Sequence, residues 1–510
     1  MSKTLKYFDG LTWDTIEWKT SYEKVRSIQK RIFKASRSGE KEKMWFLQKL
    51  LLRNPHAKLI AVKSVNTILN GVKKVNVDNK ISTSTKDDIQ LIELAKSLNL
   101  NGKVNPMLQS FMQKNRMFRK QPVNKQLIQE LAKQALCKLV LEPEWEAKFE
   151  LHSYGFRNEK SNYDSIETIK SILYSNVDKY VYVGQIKNCF EKLEHESLIK
   201  KLNTFPLMRE QITSWLKTGI LNSYPNLTEY EHIKIKRDEI DTLLFNIALH
   251  GLEEHLINSI SDTKSYELQN DKTTRFPSKE CAIGVVRYRN DFVIIQKNLR
   301  IVHIVKQETK NWLEKLGLTI NDKKAIIKLA SQSFEFLDFH ITYLKIHNTF
   351  QVKIMPNKSS INRITEQTRE IIQCNKAVSA YQLIERLRPI ILNWATYFQF
   401  SDSKEIFSKV DHIIFQQLRS WVFRRSIRQG RKIVKEHYFP SNMVYKFQNR
   451  EYRANWVLTG TKKIQENKSI IIYLPKISWI RNKNFLRTNR SYSLYDANEN
   501  YFLGSKFLYK

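Results

Sequence analysis

Cysteine is scarce in this chain. The four present, Cys137, Cys189, Cys281 and Cys374, are scattered, with no C-x-x-C and no paired histidine spacing that would build a structural zinc site. A disulfide framework is excluded on the same ground, and a reducing compartment fits. Glycine is sparse too, with 13 in 510 residues, and no Gly/Ser linker, low-complexity tract or internal repeat interrupts the sequence. No apolar run reaches the length needed to span a bilayer, and no basic amphipathic helix stands apart as a surface anchor. Acids are in short supply: 51 Asp and Glu face 86 Lys and Arg, a net charge of +35. So large an excess repels itself, and a polyanion relieves it; nucleic acid fits better than an anionic membrane.

What remains is a folded protein. Hydrophobic residues make up 41% and aromatics 11%, enough for several domains with buried cores. Asp9, Asp14 and Glu17 argue against a transit peptide, which is poor in acids, and no apolar core marks a signal peptide. The chain is therefore expected to be made where it works. Heavy use of Lys, Ile and Asn with few glycines suggests an AT-rich genome, as in many organelles. The expected location is an organelle, chloroplast ahead of mitochondrion, with a bacterial cytoplasm as the alternative.

The stretch Gly284–Ile295, G-V-V-R-Y-R-N-D-F-V-I-I, reads as two apolar strands joined by a tight turn with Asn290-Asp291 at its tip. Before it, apolar spacing predicts helices over Trp18–Phe33, Met44–Leu52 (after a Ser38-Gly39 break), Asp87–Leu98 and Leu127–Leu141, the last broken by Pro143. Residues 54–80 read as helix or strand, and 99–125 and Tyr224–Asp241 as loop. A short strand is expected at Tyr180–Gly184, and helices at Glu191–Leu202, Leu207–Leu216, Leu243–Ile257 and Lys306–Leu316. A strand pair follows around Phe334–Phe350 and a helix from Asn357 to about Gln373. Two further helices carry Leu383, Leu387, Ile391, Trp394 and Phe398, then Phe407, Val410, Ile414, Leu418 and Trp421.

Basic residues cluster at both ends. Lys24, Arg31 and Lys34 lie off the apolar stripe of the first helix. Near the other end, W-V-F-R-R-S-I-R-Q-G-R-K-I-V-K would put Arg424, Arg428, Arg431 and Lys435 on one face if a helix ran through Gly430. Aromatics beside them suit RNA, which offers phosphates and unstacked bases. A solvated basic surface over an aromatic core is the plainer alternative, and Trp394 and Trp421 are read as core.

In order of segments the chain resembles the group II intron-encoded reverse transcriptase/maturase family. Residues 13–62 look like its N-terminal extension. L-E-P-E-W-E-A-K-F-E-L-H-S-Y-G-F-R at Leu141–Arg157 matches a family block almost letter for letter. Asn246–Glu253 is similar to the helix after the family's Pro-Gln-Gly-Gly motif, Phe334–Phe339 to its F-x-F-L-G-F block, and residues 381–440 to domain X, the maturase-specific thumb. The resemblance implies an α+β fold: right-hand polymerase-like fingers and palm, then an all-helical thumb. The boundaries it suggests are an N-terminal extension over 1–80, a degenerate polymerase-like region over 81–355, domain X over 356–440 and a basic C-terminal region over 441–510.

The catalytic positions depart from the pattern. Gln185 stands where active members carry Asp, Tyr288-Arg289-Asn290-Asp291 replaces Tyr-Ala-Asp-Asp, Ile235-Lys236-Arg237-Asp238 replaces Pro-Gln-Gly-Gly, and Asp338 replaces the glycine of F-L-G-F. Nucleotidyl transfer needs carboxylates to hold two divalent ions about 4 Å apart, and hard ions such as Mg²⁺ bind mainly through carboxylates and phosphates. Gln185 and Asn290 bring no charge, Arg289 adds a cation beside the metal position, and Asp178 and Glu191 lie off the matching position, leaving Asp291. Neither a catalytic residue nor a metal is therefore expected in the protein. The chain ends at Lys510 without the His, Asn and Cys pairs of the family's endonuclease, so that activity is not expected either.

The expected function is that of a maturase: a non-enzymatic splicing factor that binds a group II intron, its own host intron first, and stabilises the folded RNA. Mg²⁺ would be a requirement of the RNA and the protein would need no cofactor. The candidate RNA contacts are Lys24, Arg31, Lys34, Arg386, Arg388, Arg424, Arg425, Arg428, Arg431, Lys432 and Lys435. No membrane is involved, and a homodimer is left open. Two rival readings are a working reverse transcriptase with a rearranged acidic cluster and a general RNA chaperone for several introns.

Overall fold

A computed structural model describes residues 7–76, 85–104, 125–158, 160–174, 177–187, 192–219, 221, 240–260, 283–346, 349–425, 430–465, 468–481, 493 and 495. The expected loops over 99–125 and Tyr224–Asp241 fall mostly outside these residues, as do Arg428, Glu191 and the 235–238 tetrad. The chain divides into two compact units: residues 1–165, 184–325 and 487–510 form the first, and 166–183 with 326–486 the second.

The first unit opens with helices α1 (Trp18–Arg37), α2 (Lys41–Arg53), α3 (Pro55–Asn76), α4 (Thr85–Ser97) and α5 (Lys125–Glu146). The residues at 54–80 thus resolve to helix as far as Asn76. Val25, Gln29, Ile32 and Phe33 form the buried stripe of α1, and the helix stops where Gly39 takes φ +73°. Helix α5 does not break at Pro143, as the sequence suggests; it runs on to Glu146. Proline lacks an N–H and denies the carbonyl four residues earlier its helical partner. That carbonyl belongs to Leu139, and it accepts a hydrogen bond of 2.8 Å from Nε2 of buried Gln29. A neighbouring helix supplies the missing donor, so the kink penalty is offset by docking. Ser36 Oγ adds a second tie to the Glu144 carbonyl at 2.9 Å.

Helix α6 (Asn162–Leu173) begins in the first unit and continues in the second, and strand β1 (Tyr180–Lys187) begins in the second and ends in the first. The first unit continues with α7 (His195–Leu202), which starts later than the expected Glu191, α8 (Pro206–Thr218) and α9 (Ile240–Leu249). The single helix expected over Leu243–Ile257 is two: Gly251 at φ +93° divides α9 from α10 over 252–260. Strands β2 (Gly284–Tyr288) and β3 (Asp291–Gln296) form the expected hairpin, followed by α11 (Leu299–Glu314), longer at its start than Lys306, and β4 (Thr319–Ile320). The strands of this unit are ordered β2-β3-β1-β4. Tyr288 pairs with Asp291, so the turn is Arg289-Asn290 and not Asn290-Asp291, with Arg289 at φ +58°.

In the second unit the first half of β1 pairs antiparallel with β5 (Ile326–Leu329), Tyr180 opposite Leu329. Strands β6 (Phe334–Phe336), β7 (Phe339–Ile346) and β8 (Thr349–Pro356) make an antiparallel sheet of their own. In the β6–β7 turn Asp338 takes φ +65°, the conformation for which glycine is the default residue, and Arg363 Nη2 holds its carboxylate at 2.6 Å. Helices α12 (Lys358–Cys374), α13 (Ala380–Phe398), α14 (Lys404–Arg425) and α15 (Arg431–Tyr438) follow. Trp394 Nε1 reaches Ser360 Oγ and Trp421 Nε1 the Asn375 carbonyl, each at 3.0 Å, so both tryptophans are core. Beyond them come two hairpins, β9 (Val444–Phe447) with β10 (Arg450–Arg453) and β11 (Thr459–Gln465) with β12 (Lys468–Tyr473).

Replacing Gln29 by Leu leaves the part-buried Leu139 carbonyl without this donor, and we expect a loss of about 1 kcal/mol in urea unfolding. In a Pro143→Ala background, where the helix regains its own N–H, the same change should cost distinctly less.

Candidate functional site

The polymerase position is built by the second half of β1 and the β2–β3 hairpin. Gly184 makes this approach possible, because a Cβ there would lie 2.2 Å from the Phe292 ring. Gln185 Nε2 donates to Asp291 Oδ1 at 2.8 Å, and Asn321 Nδ2 donates to Gln185 Oε1 at 3.3 Å. Asn290 is tied to the strand instead: its carbonyl accepts from Ile186 N at 2.8 Å and its Nδ2 reaches the Ile186 carbonyl at 3.4 Å. An amide N–H thus points at the one matching carboxylate. Cations require lone pairs at such a point, so the donor set does not suit Mg²⁺. The Arg289 guanidinium, expected beside the metal position, stacks over the rings of Phe156 and Tyr288 at 4.8 and 5.4 Å. Asp178 lies in the second unit, where its carboxylate accepts from the backbone N–H groups of Lys179 and Ser331. No cluster of three His, Cys, Asp or Glu suited to a metal occurs among the described residues.

Beneath the hairpin lies a polar knot that the sequence reading missed. Arg287 is 3% exposed. Its Nη1 donates to Asn246 Oδ1 at 2.9 Å and to the Arg289 carbonyl at 3.2 Å, and its Nη2 to Ser153 Oγ. Asn246 Nδ2 in turn donates to the Gly155 carbonyl at 2.7 Å. Burial lowers the Arg287 pKa to about 10, against the opposing pull of Glu150, so it stays a cation at neutral pH. Glu150 Oε1 accepts from the backbone N–H groups of Gly251 and Glu253 at 3.0 and 2.9 Å, an acid at the start of α10. Lys201 Nζ donates to the Ala248 and His250 carbonyls at the end of α9. Each charge complements the helix end it meets. The only signal in the sequence was the length of the Leu141–Arg157 match.

The basic residues sort by what they touch. Lys24, Arg31 and Lys34 are exposed on α1, spaced so as to share its outer face. In the second unit Arg424, Arg431 and Lys432 are exposed as well. Among the other described candidates, Arg386 and Arg425 are exposed too, but they, Arg388 and Lys435 all make contacts within the fold. Arg425 donates to the Val378 and Ala377 carbonyls and lies 4.4 Å over Trp421. Arg386 donates to Asn375 Oδ1, Arg388 sits 5.8 Å over Tyr473, and Lys435 sits 4.9 Å over Trp456. The common face expected from Arg424 to Lys435 does not form as one helix: α14 ends at Arg425 and α15 starts after Gly430 as its N-cap.

Three family models match in chain order. Residues 13–94 match the N-terminal domain of reverse transcriptase, 109–341 the reverse transcriptase (RNA-dependent DNA polymerase), and 361–439 the group II intron, maturase-specific domain. The chain belongs to the group II intron reverse transcriptase/maturase family. The fold is accordingly reverse-transcriptase-like, with a helical region after it. Maturase-like protein 1 of Euglena gracilis is 22% identical over 76% of this chain and 78% of its own length. The group II intron-encoded protein LtrA of Lactococcus lactis is 25% identical over 41% of this chain and 42% of its own. Among solved structures, apo telomerase from Candida tropicalis aligns with 63% of this chain and 54% of its own, at 14% identity and a TM-score of 0.30. Within this maturase-family chain, the residues of the knot and the altered tip adjoin one another on β2 and its turn.

The knot also sets a pH dependence. His250 packs edge-on against Trp145 and Phe149, and its Nδ1 has no hydrogen-bond partner among the described residues. Burial, reinforced by Lys201, Arg287, Lys148 and Arg157, lowers its pKa from 6.5 to about 4. The unfolded chain takes up this proton first, so stability falls as pH is lowered from about 6.5 toward 4. Urea midpoints measured at about pH 7.5 and about pH 5 should differ less in His250→Phe than in the parent chain.

Proposed function

We propose that this protein is a group II intron maturase that binds the intron hosting its own reading frame and stabilises the folded RNA for self-splicing. The observation that carries the reading is the match of residues 361–439 to the maturase-specific domain, where Arg424, Arg431 and Lys432 stand exposed. We assign those three, with Lys24, Arg31 and Lys34, to phosphate contact. Arg386, Arg388 and Arg425 brace the fold that presents them, and Lys435 does so beside Trp456. The chemistry belongs to the RNA, which brings its own Mg²⁺ requirement; the protein takes no cofactor.

Loss of polymerase activity is part of the proposal. It is supported by the Gln185 amide donating into Asp291, a contact that occupies the carboxylate a metal would need. We place the protein in an organelle, chloroplast ahead of mitochondrion; its Lys-, Ile- and Asn-rich composition and a relative from Euglena support this.

The test is splicing of the host intron at low Mg²⁺ with and without the full chain. Acceleration by the protein is expected; none would refute the maturase reading, and equal help to unrelated introns would favour a general chaperone. Primer extension on an RNA template with Mg²⁺ or Mn²⁺ should give no product, and product would restore the polymerase alternative. Replacing Arg424, Arg431 and Lys432 together by Ala should weaken intron binding and flatten its log-log salt slope by roughly 2–3.

A further inference from the structure

Trp456 is placed at a cost. Its side chain is 38% exposed, and its backbone adopts φ +63°, a conformation that bulky residues avoid. It lies in the chain between β10 and β11, outside the stretch matched by the maturase-specific domain. The indole is held from inside by Phe415, edge-on at 5.4 Å, and by Phe439 at 5.7 Å.

Cations surround it. Lys435 Nζ stands 4.9 Å from the ring centroid, and Lys476 Nζ donates to the carbonyl of the preceding residue, Asn455, at 3.4 Å. Arg431 and Lys432 precede Lys435 by four and three positions on α15, which puts them on the same side of that helix, and both are exposed. The acid of α15, Glu436, is engaged by Ser441 N and Oγ at 2.9 and 3.1 Å, and Lys435 Nζ reaches the same Ser441 hydroxyl at 3.4 Å.

Cations alone would suit any phosphate backbone. A strained, half-open indole among them suits something with a flat face as well. In a duplex the bases stack on each other and offer no free face; an unpaired nucleotide does. We propose that Trp456 is a stacking platform for an unpaired nucleotide of the bound RNA, with Arg431, Lys432 and Lys476 holding the flanking phosphates. The site rests on the RNA-binding reading above and adds to it the kind of RNA recognised: a loop, bulge or single-stranded junction. It also extends the interface beyond the maturase-specific domain, on to the hairpin region that follows it.

The experiment uses the full chain and two labelled RNAs of about 12 nucleotides or base pairs, an oligouridylate and a duplex, titrated over a range of salt. Trp456→Ala should bind the oligouridylate about tenfold more weakly, with duplex affinity and salt slope unchanged, because stacking releases no counterions. Trp456→Leu keeps an apolar side chain against Phe415 and Phe439 and should bind as poorly as the alanine variant, whereas Trp456→Phe should retain most of the affinity. Oligouridylate binding by Trp456→Leu equal to the parent's overturns the proposal, as does an equal loss on the duplex. A parent chain that ignores intron RNA altogether would instead overturn the RNA-binding reading itself.

Discussion

A guanidinium without water must be satisfied by protein on every side, and Arg287 is such a group. Leaving a buried hydrogen-bonding group unsatisfied costs about 1–3 kcal/mol, and more for a charged one, a large part of what holds a domain together. Its side chain is met by Asn246 from α9 and Ser153 from the 141–157 block, while its backbone pairs on both sides of Ser153, through the His152 carbonyl and the Tyr154 N–H, each at 2.9 Å. Helix, block and hairpin are thereby fixed to one another. Gly155 belongs to the same joint, since a Cβ there would come within 2.1 Å of Arg289 N. By its sequence this block resembles the family's nearly letter for letter, and Gln185, Arg289 and Asn290, which the same resemblance marks as departures, stand next to it.

That contrast separates two duties of a polymerase palm. Holding the hairpin in place needs hydrogen bonds and shape, and an amide serves that as well as a carboxylate does. Holding metal needs negative charge. Two carboxylates a hydrogen-bond length apart repel unless a cation or proton sits between them, so an acid pair carries a standing cost when no metal is bound. Gln185 removes that cost, and its N–H adds a bond of 2.8 Å to Asp291. The tip as it stands is stable by itself.

Much of the architecture was legible in the sequence because periodicity reports burial. The stripe through Val25 and Ile32, the hairpin strands and the core tryptophans Trp394 and Trp421 all follow from spacing alone. What was not legible depended on partners far along the chain. Nothing near Pro143 says that Gln29 will supply a donor, and nothing in Leu243–Ile257 says that Glu150 and Lys201 will cap the two sides of a break at Gly251. The hairpin tip slipped by one residue because Arg289, an unexpected residue at positive φ, carries the turn. Among the candidate RNA contacts, residue type could not tell that of two exposed neighbours, Arg424 and Arg425, the second ties down the loop at Ala377 and Val378. The strands beyond Phe439 escaped notice because short hairpins lack the long periodic signal of the helices before them.

Gln29 and Leu139 carry a further implication for how the first unit assembles. A helix ordinarily contains every hydrogen bond it needs and is self-sufficient once nucleated. With proline at 143, α5 is not, for one of its carbonyls has no taker until α1, more than a hundred positions upstream, lies alongside. Completion of the second helix is conditional on arrival of the first. The two therefore mature as a pair, and the N-terminal segment serves as a folding cofactor for the core it covers.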